Sequence, residues 1–443
     1  MKKNKLILII LASLANSFQG HAVSLQQSVI AARFYDTEFI AAGNLHDAEG
    51  QKRYQGFAGL LPEISLTGSY YKQDQPDASY AAGIKRHNYS FNLSQPLFDP
   101  ARFATWKRAD AAADLADANY MLAQQKLIQD VSKAWFSVIF SRKQLATLQQ
   151  EMKAYEVQLH KAQKAQQIGE GTVLDVDDAQ ASFDRARAEM LSAEDDLNHA
   201  GLEFNRLTGL PAEEIQEADM RCLFHPQKET MQQVVMRTSQ KNLNIIAASH
   251  KLEESRADVI SATSAHLPVV TLQANYGTNW SRAENGNVLD EVFGSTSKTK
   301  NTYVGVNVTV PIFSGGKYLS QSFEAVSRRD QARELLEDTR RKVVQDTKAS
   351  WLGVNNNLAK INAYLRSVDS AQKKVASTAY GKELGLRTLL DQFNAEKDLY
   401  KSRQDLTEAE NNFVQQKIAL AAATGDLDYS TLNDYACQQA VSR

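Results

Sequence analysis

Proline is scarce in this sequence and unevenly placed. Eight prolines serve 443 residues, and none falls within 101–210 or 312–443. Proline breaks helix interiors, so its absence permits long helices there. Residues 101–168 also lack glycine. Long apolar runs are missing too. After residue 22 no stretch of about 18 apolar residues occurs, which excludes a membrane-spanning helix. If the chain crosses a membrane, it must do so as a closed β-barrel. There is no excess of cations: the net charge is −2. A nucleic-acid partner would need a basic footprint, so none is expected. The two cysteines, Cys222 and Cys437, are too few for a disulfide framework.

Catalytic constellations are absent as well. The histidines at 21, 46, 87, 160, 199, 225, 250 and 266 never take an H-E-x-x-H or other ligand spacing. Ser314-Gly-Gly-Lys317 lacks the leading glycine of a phosphate loop, and no G-x-S-x-G elbow occurs. The expectation is no enzyme, no cofactor and no metal.

What is present begins with a leader. Lys2, Lys3 and Lys5 precede a short apolar run, Leu6 to Ala15, and small residues at Gly20 and Ala22. This is the pattern of a secretory signal cleaved after Ala22. Without its three lysines, 47 cations face 52 acids, a mature charge of −5. No cysteine lies near residue 23 to carry a lipid. Export to an oxidising compartment permits one disulfide.

The rest of the chain is written twice. Gln129-Asp130, Ala134-Trp135, Gly169, Thr172-Val-Leu-Asp175 and Thr208-Gly209 recur 216 residues later as Gln345-Asp346, Ser350-Trp351, Gly385, Thr388-Leu-Leu-Asp391 and Thr424-Gly425. Upstream, Leu61-Pro62 matches Leu267-Pro268, and Pro96-Leu-Phe98 matches Pro311-Ile-Phe313. Each copy has a strand-like segment between its proline marks and a long helical segment after them. Leu145, Leu148, Met152, Tyr155 and Leu159 step by three and four, as do Ile361, Tyr364, Val368, Ala371 and Val375. That is a coiled-coil seam. A helix over 101–168 would be roughly 100 Å long. Gly169-Glu170-Gly171 interrupts the first long segment, and Gly381 with Gly385 interrupts the second. Each interruption reads as a hairpin tip, and each Thr-Gly pair closes a returning helix.

The strand-like segments alternate. Val304, Val306, Val308 and Val310 share one face, with Tyr303, Gly305, Asn307 and Thr309 on the other. Residues 270–277 and 89–94 behave alike, and Ile64 to Tyr71 more weakly. Such strands suit a transmembrane barrel wall or a half-buried soluble sandwich. Four strands cannot close a barrel in lipid, so a barrel would need several chains, and three would supply twelve.

This plan resembles the TolC family of outer-membrane efflux proteins over essentially the whole mature chain. The resemblance is carried by the two Leu-Pro marks, Gln95-Pro-Leu-Phe-Asp99, Val310-Pro-Ile-Phe-Ser-Gly-Gly316, the Gly-x-x-Thr tips and the closing Thr-Gly pairs. It implies a mainly helical fold with a small β part. A homotrimer would share a 12-stranded β-barrel in outer-membrane lipid and extend a long α-barrel into the periplasm. It implies an exit duct that passes protein or small molecules from an inner-membrane ABC exporter or proton-driven pump through a periplasmic adaptor (membrane fusion) protein. The alternative is an exported coiled-coil scaffold or adhesin without a channel. The stretch Gly169 to Asp175 looks more like the secretion branch.

The expected organisation is a signal at 1–22, a first repeat at 23–210, a connecting segment at 211–240, a second repeat at 241–427 and a tail at 428–443. The β-hairpins are expected near 63–97 and 269–312, and the helical hairpins near 101–210 and 317–425. By the same resemblance, Asp175 matches an acidic latch residue, Arg387 the latch arginine and Asp391 an acidic ring position. A second ring position falls on Asn394 and a latch tyrosine on Lys382, whose ammonium could pair with Asp175 instead. The tips, with Gly169, Gly171, Thr172, Gly385 and Thr388, would receive the adaptor. The plainer reading is that Asp175, Arg387 and Asp391 cap helices and solvate a surface. Cys222 and Cys437 follow the two Thr-Gly pairs by 13 and 12 residues. A bond between them and two separate thiols both fit that spacing.

Overall fold

The computed structural model describes residues 23–74, 83–215, 220–283, 288 and 297–432. The expected signal and Cys437 lie outside the described residues. Among the described residues, eight α-helices and four strands follow in the order α1 (Leu25–Tyr35), α2 (Thr37–Ala58), β1 (Glu63–Asp74), β2 (Gly83–Phe98), α3 (Pro100–Gln167), α4 (Val173–Thr208), α5 (Met231–Lys241), α6 (Leu243–Ser264), β3 (Val269–Ala283), β4 (Ser297–Thr309), α7 (Lys317–Glu383) and α8 (Leu389–Thr424). The proline-free stretches hold α3 and α7, of 68 and 67 residues. None of the described helices is long and apolar enough to cross a membrane.

The chain forms two compact units. Of the described residues, one gathers those up to 44 with those of 120–245 and 339–432. The other takes 45–119 and 246–338. Each draws on both sequence copies.

The first unit has the main apolar core. Trp135, Phe136, Phe204, Phe413, Leu25 and Ile128 are fully buried there. The ends of α4 and α8 are closed by glycines in the left-handed region, Gly209 at φ 69° and Gly425 at φ 72°. Two side chains reach the terminal carbonyls of α8: Gln125 Nε2 donates to Ala422 O at 2.7 Å, and Asn242 Nδ2 to Ala423 O at 2.9 Å. These would otherwise be unsatisfied helix-end acceptors. Val23, the expected first mature residue, is buried and bridges to Ile215 in parallel.

The second unit is built on one antiparallel sheet in the order β1-β2-β3-β4. The two hairpins expected from sequence are therefore joined, through β2 against β3. The register explains the alternation. Ile64, Leu93, Ala274 and Val304 stand opposite one another in one row across the four strands. Ser65, Asn92, Asn275 and Tyr303 form the row on the other face. The polar face is cross-linked by side chains, with Asn275 Nδ2 donating to Asn92 Oδ1 at 2.6 Å and the Thr67 and Ser90 hydroxyls 2.8 Å apart. The apolar face stays exposed: Leu66 is 63% and Val304 71% accessible. Pro96 lies where the β2–β3 register shifts, the place a strand tolerates a missing donor. Asp99 then starts α3 by accepting from Arg102 N at 3.0 Å. Gly56 lets α2 approach α3, since a Cβ there would come 2.6 Å from that of Ala109.

Candidate functional site

The two tips of the first unit have the same backbone. In tip one, Gly169 N donates to Gln166 O at 3.1 Å and Glu170 N to Ala165 O at 2.9 Å. In tip two, Gly385 N donates to Lys382 O at 3.0 Å and Leu386 N to Gly381 O at 2.8 Å. These bonds superpose under the same 216-residue offset. Gly169 and Gly385 take φ of 77° and 73°, a region that costs a side chain about 1–2 kcal/mol. Thr172 and Thr388 then cap α4 and α8.

Both candidate carboxylates belong to these caps. Asp175 Oδ2 accepts from Thr172 N at 3.0 Å and from Thr172 Oγ1 at 2.7 Å. Asp391 Oδ2 accepts from Thr388 N at 3.0 Å and from Thr388 Oγ1 at 2.9 Å. The Thr172 hydroxyl and N–H hold Asp175 below the usual carboxylate range, with a smaller contribution from Lys382. The Thr388 N–H and hydroxyl do the same for Asp391, with Arg387 and Lys374 adding positive charge nearby. Each carboxylate is thus a capping-box acceptor and also an anion at a hairpin tip.

The cations sit differently. Arg387 is exposed, and among the described residues no ion pair holds it within the chain. Lys382 is half-buried and donates to Gln392 Oε1 at 3.3 Å, so Asp175 feels it only as a charge at longer range. Burial lowers the Lys382 pKa, and Lys161 lowers it further. Asn394 is exposed on α8, one turn past Asp391. Gly381 differs from the expectation: it lies inside α7, and the helix continues to Glu383. A helical glycine costs only about 1 kcal/mol. Its lack of a Cβ leaves room for Arg387, whose Cγ would lie 2.9 Å from that atom. Tip one reverses the pair: Gly171 faces Ala165, with 3.1 Å between a built Cβ and the alanine methyl.

Behind the tips lies a polar cluster that sequence reading missed. Glu396 Oε1 accepts from Gln158 Nε2 at 3.1 Å and from Gln392 Nε2 at 3.0 Å. Glu151 is buried, accepts from Gln404 Nε2 at 3.4 Å, and is pushed up to about 7 by burial and by Glu189. Burial also raises Glu396. An acid between seam residues Leu148 and Met152 was the available signal. Cys222, in the short turn Met220–Leu223, is disulfide-bonded.

Comparison with known proteins supplies the context. The family described as "Outer membrane efflux protein" matches residues 40–210 and 234–426. Outer membrane protein TolC of Vibrio cholerae is 27% identical over 414 residues, covering 93% of each chain. Alkaline protease secretion protein AprF of Pseudomonas aeruginosa is 27% identical over 417 residues, covering 90% of this chain and 83% of its own. Among solved structures, the outer-membrane channel CmeC of Campylobacter jejuni has a TM-score of 0.78 at 14% identity, over 96% of this chain and 94% of that one. The outer membrane protein VceC of Vibrio cholerae has 0.77 at 18%, over 90% and 96%. The fold, the twice-written plan and the family match over both copies agree: this chain belongs to the outer membrane efflux protein family and is an outer-membrane duct for export.

Proposed function

We propose that the two tips form the gated periplasmic entrance of a homotrimeric duct. Three copies would close the sheet edges left open at β1 and β4 into a twelve-stranded barrel in outer-membrane lipid, as the exposed apolar rows demand. Three copies of Asp391 around one axis would place a carboxylate ring at the mouth, attracting cations. The observation that carries this reading is the placement of Asp175 and Asp391 in identical capping boxes at equivalent tips, with an exposed Arg387 near Asp391 that has no ion pair among the described residues. Its partner would then be an acid of a neighbouring copy. Such partly hydrated pairs contribute about 0–1 kcal/mol each, which suits a gate that a partner protein opens.

Ile168, Val173, Leu174, Leu384, Leu386 and Leu390 are between 55% and 76% exposed at the tips. They support docking of a periplasmic adaptor there, with an inner-membrane pump behind it supplying cargo and energy. In this reading Cys222 is joined to Cys437, tying the tail to the connecting segment.

Single-channel recording in planar bilayers tests the gate. Arg387→Ala should raise the resting conductance severalfold, and Asp391→Asn should reduce the preference for cations. Unchanged conductance in Arg387→Ala removes that residue from the latch.

A further inference from the structure

We propose that Lys72, Lys85 and Arg282 bind the phosphate-bearing headgroup of an anionic lipid in the outer leaflet. This rests on the barrel reading above.

The register places the three cations in a row. Lys72 stands opposite Lys85, and Lys85 opposite Arg282. Successive residues of a strand face opposite sides, so the row shares a face with Tyr70, Leu66 and Ile64. That is the apolar face, which a barrel turns toward lipid. The strands hold six cations, Lys72, Lys85, Arg86, Arg282, Lys298 and Lys300. Five lie on this face, and only Arg86 lies on the polar one. They cluster toward the hairpin ends and are absent from the lower rows of Ile64 and Leu66. The only acids in the strands are Glu63 at the opposite end and Asp74 at the hairpin end.

The row directly below marks the depth. Tyr70, His87 and Trp280 are cross-strand neighbours, with ring centroids 4.7 Å apart at both steps. Amphipathic rings gather at the headgroup level of a membrane. Two residues further on, the three cations therefore stand at the level of lipid phosphates. The helices join the strands at Glu63, Phe98, Val269 and Thr309, so the hairpin ends point the other way. With the helices periplasmic, that side is the outer leaflet.

Like charges opposite one another on a sheet repel. Adjacent positions are about 5 Å apart, so the row spans roughly 10 Å, room for one or two phosphates. An arginine at one end adds bidentate recognition of a phosphate. Lys72 and Lys85 each have a further partner. A headgroup would therefore share these cations with that partner.

Native mass spectrometry of the detergent-extracted protein, incubated with diphosphorylated lipid A or with its dephosphorylated form, reads the occupancy. Wild type should retain the phosphorylated lipid selectively. The combined variant K72Q/K85Q/R282Q should bind it about a hundredfold more weakly, at roughly one lipid-surface interaction per cation. Lys85→Gln alone should lose about fivefold, and carries the test if the triple variant fails to assemble. Arg86→Gln, at the next position on the polar face, should bind like wild type. Equal binding of the two lipids, undiminished binding by the variants, or equally effective competition by inorganic phosphate alone overturns the proposal. The same spectra report assembly: a trimer without selective lipid overturns this site alone, whereas a chain that never assembles overturns the barrel reading with it.

Discussion

The two hairpin tips share every backbone device and differ in what they display. Tip one places Gly171 against Ala165, and tip two places Arg387 against Gly381. The small partner has changed sides while the turn, the glycine at positive φ and the threonine cap have not. The seams behind them diverge in the same way. Glu151 is buried in the first copy, and its equivalent in the second is Ser367, which shares a hydrogen bond of 3.0 Å with Ser402. The lesson is that duplication preserves what the backbone requires, while side chains that face outward or across the seam are free to take up new work. Here the added cation is confined to one tip.

At fixed pH, the largest expected effect tests the shared part. Gly169→Val and Gly385→Val should each destabilise their tip by about 1–2 kcal/mol, because a branched side chain is forced into the left-handed region. Hydrogen exchange at the two tips measures this. Clearly unequal losses would mean that the tips are not one device.

A middle-sized effect tests the part that differs. Gly381→Ala should normally gain about 1 kcal/mol in a helix. With Arg387 present the new methyl meets its side chain, so the gain should vanish and reappear in the Arg387→Ala background. A double-mutant cycle on thermal unfolding should show coupling of about 1 kcal/mol. Additive effects would mean that Gly381 and Arg387 are not packed against each other.

The last effect concerns the seams and is read as a slope in pH rather than as a single difference. Glu151 holds its proton to about 7 when folded, against an ordinary value of 4.5. Between these values the folded chain binds more protons than the unfolded one, so stability falls as pH rises. The contribution is complete below pH 4.5 and gone above about pH 7. Denaturation midpoints across this window should slope for wild type and flatten for Glu151→Gln. Ser367→Ala, at the equivalent place, should leave the slope unchanged.

Much of this was legible before folding. The absence of proline marked α3 and α7, the Thr-Gly pairs marked the ends of α4 and α8, and alternation of valine with polar residues marked β4. These signals are local: helix periodicity, cap chemistry and strand alternation involve residues a few positions apart. Gly381 was misread because composition shows that a glycine is present and not whether a helix tolerates it. The space it leaves is used by a side chain six positions on.

The sequence by itself determined the duplication, the element types, the tips and the two-faced strands, since each follows from short-range backbone preference. Tertiary structure alone decided the rest. It joined β2 to β3 across 183 residues, as the Asn92–Asn275 bond records. It assembled two units that each mix both copies, buried Glu151 and Glu396 behind the tips, and aligned Lys72, Lys85 and Arg282 in one row. Register and burial depend on which distant segments meet, and no local pattern encodes that choice.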